Sequence, residues 1–306
     1  MEGLVVKNTG SSYAVKIDTG EILMCKIKGN FRVKDIRTTN PVAVGDIVLV
    51  TKNEQGLSLI YGICNRKNYI IRKSPNLSKE SHIIAANIDQ AMLLITINHP
   101  KTSTVFIDRF LVSAGVYNIP VVLVFNKIDL YSSEEIKYLD ALQFLYENIG
   151  YLCIRTSVKT LEGIETLKQQ LGNKVTLFSG NSGVGKSSMI NAIDETLSLR
   201  TGIVSESHDK GIHTTTFSEM FAIAGGYIID TPGVKGFGVV NVDPAEVGHY
   251  FPEIFEKSKD CKYYNCTHIN EPGCAVVSAV EKHQISQSRY TSYLSIFENK
   301  DSSKYR

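Results

Sequence analysis

The chain has 306 residues, 43% of them hydrophobic and 21% charged, with a formal net charge of +2. That leaves room for two or three domains with sizeable cores, in a composition typical of globular proteins. The N-terminus Met1-Glu2-Gly3-Leu4-Val5-Val6 lacks the basic start and long apolar core of a signal peptide, and no run reaches the length of a membrane span; a cytoplasmic protein without membrane contact is expected.

Residues 1–73 carry 12 Lys/Arg against 6 Asp/Glu, while the remainder carries 21 against 25. A basic segment on a mildly acidic body suggests a polyanionic partner. Within it Leu4–Lys7, Tyr13–Ile17, Ile22–Lys28, Asp46–Thr51 and Leu59–Ile63 are short β-rich runs, separated by turn residues such as Asp18-Thr19-Gly20. Five strands without a helix predict a small closed barrel of OB type over 1–73, suited to RNA. Arg66–Asn76 reads as a strand end entering a linker, with Pro75 and the polar residues to Ser81 marking the boundary.

A βα alternation follows. Ala91–Ile97 is a continuous apolar run, Phe106, Phe110, Leu111 and Ala114 recur at helical spacing, and Val121–Phe125 is a second strand. A helix near Ser133–Asn148, a strand over Leu152–Thr156, a short helix near Leu161–Leu171 and a strand at Val175–Phe178 complete a mostly parallel sheet, whose ligands sit beyond the strands' carboxyl ends. The strand Val121–Phe125 runs into Asn126-Lys127-Ile128-Asp129, an N-K-x-D pattern. Its aspartate suits the N1–H and 2-amino edge of guanine, and a buried Asp129 would reject adenine by being left unpaired. Asn126 and Lys127 brace the site, and Thr156-Ser157-Val158 offers a backbone N–H to the guanine O6.

Gly180-Asn181-Ser182-Gly183-Val184-Gly185-Lys186-Ser187 reads G-x-x-x-x-G-K-[ST], the phosphate-binding loop. Its glycines let backbone N–H groups converge, Lys186 reaches the β- and γ-phosphates, Ser187 ligates Mg²⁺, and a helix from Ser187 adds the positive end of its dipole. Arg200–Thr216 is polar and reads as a mobile segment. Two short strands, Phe221–Ile223 and Tyr227–Ile229, then lead into Asp230-Thr231-Pro232-Gly233, a D-x-x-G pattern. There Asp230 holds Mg²⁺ through water and the Gly233 N–H senses the γ-phosphate. Beyond Asp243 the pattern is helical, with a last helix over Ala275–Glu298. Cys261-x4-Cys266-x-His268-x5-Cys274 is inserted there: three thiolates and one imidazole suited to one tetrahedral, structural Zn²⁺ with no open position.

The motif order is unusual. Small GTPases run phosphate loop, switch threonine, D-x-x-G, N-K-x-D; here N-K-x-D comes first, a circular permutation cut between D-x-x-G and N-K-x-D. Permuted motifs, a basic N-terminal barrel and a C-terminal zinc-like cluster together resemble the RsgA (YjeQ/YloQ) family of bacterial GTPases. The resemblance implies a permuted α/β P-loop GTPase domain (82–242) between the barrel and a helical zinc-binding domain (243–306). It also implies GTP hydrolysis to GDP and phosphate, stimulated by the small ribosomal subunit, and a part in that subunit's late maturation.

Gly211-Ile212-His213-Thr214-Thr215-Thr216 is similar to the family's G-R-H-T-T-T, which implies Thr215 as a second Mg²⁺ ligand; Ile212 departs from the usual Arg. Val234, where many GTPases carry Gln, cannot orient water, so His213 is the candidate catalytic group. Arg289-Tyr290 resembles the family's R-Y pair and stays open between core and contact. The alternative reading is a nucleotide-gated RNA-binding module whose hydrolysis is incidental. A P-loop ATPase or kinase is disfavoured by Asp129, and a zinc hydrolase by the closed ligand set. A monomer is expected.

Overall fold

The computed structural model describes residues 1–28, 41–53, 56–73, 81–197, 219–230 and 242–298. Strands β1 (Glu2–Asn8), β2 (Tyr13–Ile17), β3 (Ile22–Ile27), β4 (Ile47–Thr51) and β5 (Ser58–Ile63) bond in the order β1-β2-β3-β5-β4, and β4 returns to β1. The ring is closed, a five-stranded OB-like barrel. Period-two patterning sorts its faces. In β3 the buried Leu23 and Cys25 alternate with exposed Ile22, Met24 and Lys26, and the inward set joins Val5, Val15, Val48 and Val50 in one core.

The segment after the barrel departs from expectation. The expected strand end is a strand of its own, β6 (Tyr69–Lys73), which pairs antiparallel with the unexpected β7 (Ser81–Ala86) as a separate two-stranded ribbon. Val44 bridges to Ala85, and the Ala86 N–H donates to the Val44 carbonyl at 2.9 Å, so the ribbon leans on the barrel. The buried Arg66 side chain donates to Asp46 at 2.6 and 2.7 Å and to the Pro41 carbonyl at 2.6 Å. Such pairing is set by what a short strand packs on, which local sequence does not show.

Strands β8 (Gln90–Ile95), β9 (Val121–Phe125), β10 (Leu152–Arg155), β11 (Val175–Gly180), β12 (Glu219–Ile223) and β13 (Gly226–Asp230) form the main sheet in the order β10-β9-β8-β11-β13-β12. All are parallel except β12, which runs antiparallel to β13. Helices α1 (Thr104–Val116) and α2 (Ser133–Asn148) cover one face over Leu93, Ile95, Leu123 and Phe125. On the other face α3 (Ile164–Leu171) and α4 (Lys186–Ile193) cover Met92, Leu94, Val122 and Phe178. Successive residues of β8 and β9 serve opposite cores, which is why both strands are apolar and buried almost throughout. At the sheet's far edge Lys7 of β1 pairs with Glu219 of β12, and their side chains form a 2.9 Å ion pair. Barrel and parallel sheet are thereby hydrogen-bonded into one continuous sheet.

The C-terminal part holds α5 (Pro252–Ser258), α6 (Ala275–Glu281) and α7 (Gln287–Phe297). The single helix expected over 275–298 is thus two. His283 takes φ +58, and the N–H groups of Gln284 and Ile285 both donate to the Ala279 carbonyl, closing α6 in the manner of a glycine C-cap. No glycine or proline marks the break, so the pattern hid it. Arg289 of α7 is a core residue, 1% exposed. It donates to Asp108 of α1 at 2.5 Å and to Glu253 of α5 at 2.6 and 3.1 Å, while the Tyr146 hydroxyl of α2 donates to the same Asp108 oxygen at 2.8 Å. Burial works against the guanidinium charge, but Asp108 and Glu253 outweigh it and raise the Arg289 pKa. Among the described residues no helix is long and apolar enough to cross a membrane.

Candidate nucleotide site and metal centre

The sequence of β11 delivers the chain into the candidate phosphate loop at the carboxyl edge of the sheet. Gly180, Gly183 and Gly185 take φ +145, +82 and +97. A Cβ on Gly180 would lie 2.6 Å from the Leu94 carbonyl oxygen, and one on Gly185 would lie 2.6 Å from Asn126 Nδ2. Both positions therefore demand glycine. Gly185 caps α4 without a side-chain bond, so the first-turn N–H groups, with Ser187 among them, face the loop. Lys186 Nζ donates to the carbonyls of Gly180 and Asn181 at 2.6 and 2.9 Å, lying across the arch that carries Asn181 and Ser182.

The N-K-x-D residues meet this loop although more than fifty positions precede it. Asn126 is 1% exposed. Its Nδ2 donates to the Val184 carbonyl at 2.8 Å, and its Oδ1 accepts from Thr156 Oγ1 at 3.1 Å. Lys127 Nζ donates to the carbonyls of Gly183 at 2.8 Å and His99 at 2.6 Å. The two motifs thus hold each other in place. Asp129, in the turn Ile128–Leu130, is solvent-exposed rather than buried. Purine selection by an already buried carboxylate, the origin expected from the sequence, is therefore not what this turn offers.

Ser157 meets Asp129 through its side chain. Its Oγ donates to Asp129 Oδ1 at 2.6 Å and accepts from the Thr160 N–H at 3.1 Å, while its own N–H is already given to the Glu162 carbonyl at 3.1 Å. Ser157 aims the carboxylate with its hydroxyl, and its own amide is engaged within the turn. Asp230 closes β13, with its backbone beside Phe178 and Glu219. His213, Thr215 and Gly233 lie outside the described residues. Tyr131, which no motif flagged, contacts the site as well: its hydroxyl donates to the Asn126 carbonyl at 2.6 Å.

The second constellation is Cys261, Cys266, His268 and Cys274, whose ligand atoms all lie within 4.8 Å of one another. Cys261 and Cys274 sulfurs are 3.9 Å apart, and His268 Nδ1 lies 3.6 and 3.5 Å from them. Tetrahedral Zn–S bonds of about 2.3 Å put sulfurs about 3.8 Å apart, so the set fits zinc and leaves no open position. Burial lowers the His268 pKa, which favours the neutral ligand form, and pushes the Cys266 thiol up to about 12, so a cation is needed to make the Cys266 thiol a thiolate. The frame is local. The Glu271 carboxylate accepts the N–H groups of Thr267, Ile269 and Asn270 at 2.7, 3.0 and 3.2 Å, the Val277 N–H donates to Cys274 Sγ at 3.5 Å, and the Tyr290 hydroxyl donates to the His268 carbonyl at 2.7 Å. The Arg-Tyr pair is resolved by this: Arg289 fills the core and Tyr290 braces a ligand.

Comparison with known proteins adds three findings. A family model described as RsgA GTPase matches residues 63–240, and one described as RsgA N-terminal domain matches residues 2–60. The chain is 61% identical over 307 aligned residues to a Bacteroides thetaiotaomicron protein named small ribosomal subunit biogenesis GTPase RsgA 2, covering 100% of this chain and 99% of that one. A Bacteroides fragilis protein named small ribosomal subunit biogenesis GTPase RsgA is 60% identical with the same coverage. Among solved structures, YjeQ from Thermotoga maritima matches with TM-score 0.80 and 36% identity over 97% of both chains. YloQ, described as a circularly permuted GTPase, matches with TM-score 0.75 and 30% identity over 97% of this chain and 94% of that one. With the N-K-x-D and phosphate-loop residues of a permuted order meeting, and with these matches over the whole chain, the chain belongs to the RsgA GTPase family.

Proposed function

We propose that this protein hydrolyses GTP to GDP and phosphate in the late maturation of the small ribosomal subunit, with that particle as its activator. The observation that carries the reading is the grip of Asn126 and Lys127 on Val184 and Gly183, which makes one nucleotide site out of motifs in permuted order. The relatives named for small-subunit biogenesis, alike over their whole length, supply the partner.

Residues 1–73 act as the RNA-facing barrel, 82–242 as the GTPase and 243–306 as the zinc-braced module; the chain works as a cytoplasmic monomer that meets ribosomal RNA. Asp129, aimed by Ser157, reads the base, with Asn126 and Lys127 as braces. Gly180 to Gly185, Lys186 and the first-turn N–H groups hold the phosphates, and Gly233 senses the γ-phosphate. Ser187 and Thr215, with Asp230 through water, would hold Mg²⁺, which when bound neutralises phosphate charge. His213 orients the attacking water, because Val234 has no polar group to do so.

The test is GTP hydrolysis by the purified protein alone, with small subunits and with large subunits at one salt concentration. Stimulation of at least about tenfold by small subunits only is expected, and His213→Ala should lose it while keeping GDP affinity. Intact GTP binding without stimulation would sink the ribosome-dependent reading.

A further inference from the structure

The N-K-x-D turn pivots on a conformation that side chains disfavour. Lys127 has φ +63 and ψ +33, in the left-handed region. Holding it there fixes the plane of the Asn126–Lys127 peptide, since rotating that plane changes φ at Lys127 directly. Strands and turns tie most neighbouring groups: the Asn126 N–H donates to Ile95 at 2.8 Å, the Ile128 N–H to Thr156 at 3.3 Å and the Leu130 N–H to Lys127 at 3.0 Å. The Asn126 carbonyl lies in that peptide plane, so a bond to it fixes the plane. It accepts from the Tyr131 hydroxyl at 2.6 Å, and the Tyr131 hydroxyl oxygen in turn accepts from the Ile97 N–H at 2.9 Å. One phenol therefore serves as donor to one loop and acceptor from another.

The far anchor is stiff. The Thr96 N–H donates to Thr102 Oγ1 at 3.3 Å and the Thr102 N–H returns to the Thr96 carbonyl at 3.0 Å. Asn98 donates to Glu135 at 3.0 Å, and Glu135 is itself held in the capping box that opens α2. Burial raises the Tyr131 pKa to about 12, so its hydroxyl keeps the proton it donates.

We infer that Tyr131 is a positioning residue for purine selection, locking the Asn126–Lys127 peptide so that Asp129 meets the guanine edge in register. The inference rests on the reading of Asn126–Asp129 as the base site. Guanine offers Asp129 two donors, N1–H and the 2-amino group, whereas hypoxanthine offers only N1–H. A displaced carboxylate keeps one bond more easily than two. The preference for GDP over IDP therefore reports the register of Asp129, and a general loss of stability would not move it.

The experiment titrates GDP and IDP into the full-length, zinc-loaded protein with Mg²⁺ by calorimetry, for the parent and Tyr131→Phe, with melting temperature and zinc content measured on the same samples. GDP affinity should fall about fivefold in Tyr131→Phe and IDP affinity less than about twofold, narrowing the preference towards that of Asp129→Asn. An unchanged GDP/IDP ratio, whether both affinities hold or both fall together, would overturn the inference. A parent protein that prefers GDP over neither IDP nor ADP would instead overturn the base-site reading itself.

Discussion

At Gly185 two constraints coincide, φ +97 and an Asn126 nitrogen 2.6 Å from where a Cβ would sit. Gly150 has the same φ, with nothing within 4 Å of its Cβ position. The pair separates backbone strain from steric displacement. Gly150→Ala should cost about 1–2 kcal/mol and leave nucleotide binding intact. Gly185→Ala should cost a similar amount in strain and also push the Asn126 amide off the Val184 carbonyl, lowering GDP affinity by about a hundredfold. Urea unfolding and calorimetry on the two variants measure both quantities; equal binding by the two would show that the Asn126 brace is dispensable. The glycines, Lys186, Asn126 and Asp129 were legible in the sequence because their chemistry demands fixed residues at fixed spacing. Tyr131 was not, because a hydroxyl reaching back to a backbone carbonyl leaves no spacing rule.

At the scale of elements, α7 is joined to the sheet's helical layer by charge at its centre. Arg289 meets α1 through Asp108 and α5 through Glu253, and stacks over Phe251 with its guanidinium carbon 4.4 Å from the ring centroid. Arg289→Met would leave the fully buried Asp108 without its cation, and breaking such a pair costs about 3–5 kcal/mol. Urea unfolding should show that loss while zinc content stays at one per chain, since Arg289 is not part of the cysteine cluster; a change below about 1 kcal/mol would mean that the pair contributes no net stability. The elements that sequence placed well are those whose local pattern decides them: β9 at Val121–Phe125, a continuous apolar run buried on both faces, and α2 at Ser133–Asn148. The β6–β7 ribbon and the α6–α7 break were hidden because their causes are contacts distant in sequence or a positive φ on a histidine.

Across the whole molecule, Asp89 ties three parts together. Its Oδ1 pairs with Lys67, just past the barrel, at 2.6 Å, its Oδ2 accepts the Val175 N–H of β11 at 2.8 Å, and its own N–H returns to the Val175 carbonyl at 2.9 Å. Burial works against the charged form, but Lys67 and the Val175 N–H outweigh it and lower the Asp89 pKa. A carboxylate with a depressed folded pKa gives its full stabilisation above the ordinary aspartate value of about 4 and loses it as pH falls below that. The parent melting temperature should therefore fall more steeply on acidification below about pH 4 than that of Asp89→Asn. Parallel curves would show that the junction is carried by the backbone bonds alone.

The sheet order has a consequence for synthesis. β11 lies between β8 and β13 and bonds to both, yet β8 ends at Ile95 and β11 begins only at Val175. At about 5–20 residues per second, the ribosome needs about 4–16 s to make the stretch between them. During that interval the nascent chain holds β8, β9 and then β10 with an unpaired apolar edge on β8, at the slot that the phosphate-loop strand will fill. In the unpermuted order the central strand is made before both neighbours. Here an apolar edge waits for its partner, and the half that carries Asn126-Lys127-Ile128-Asp129 is made before the glycine-rich loop that packs against it.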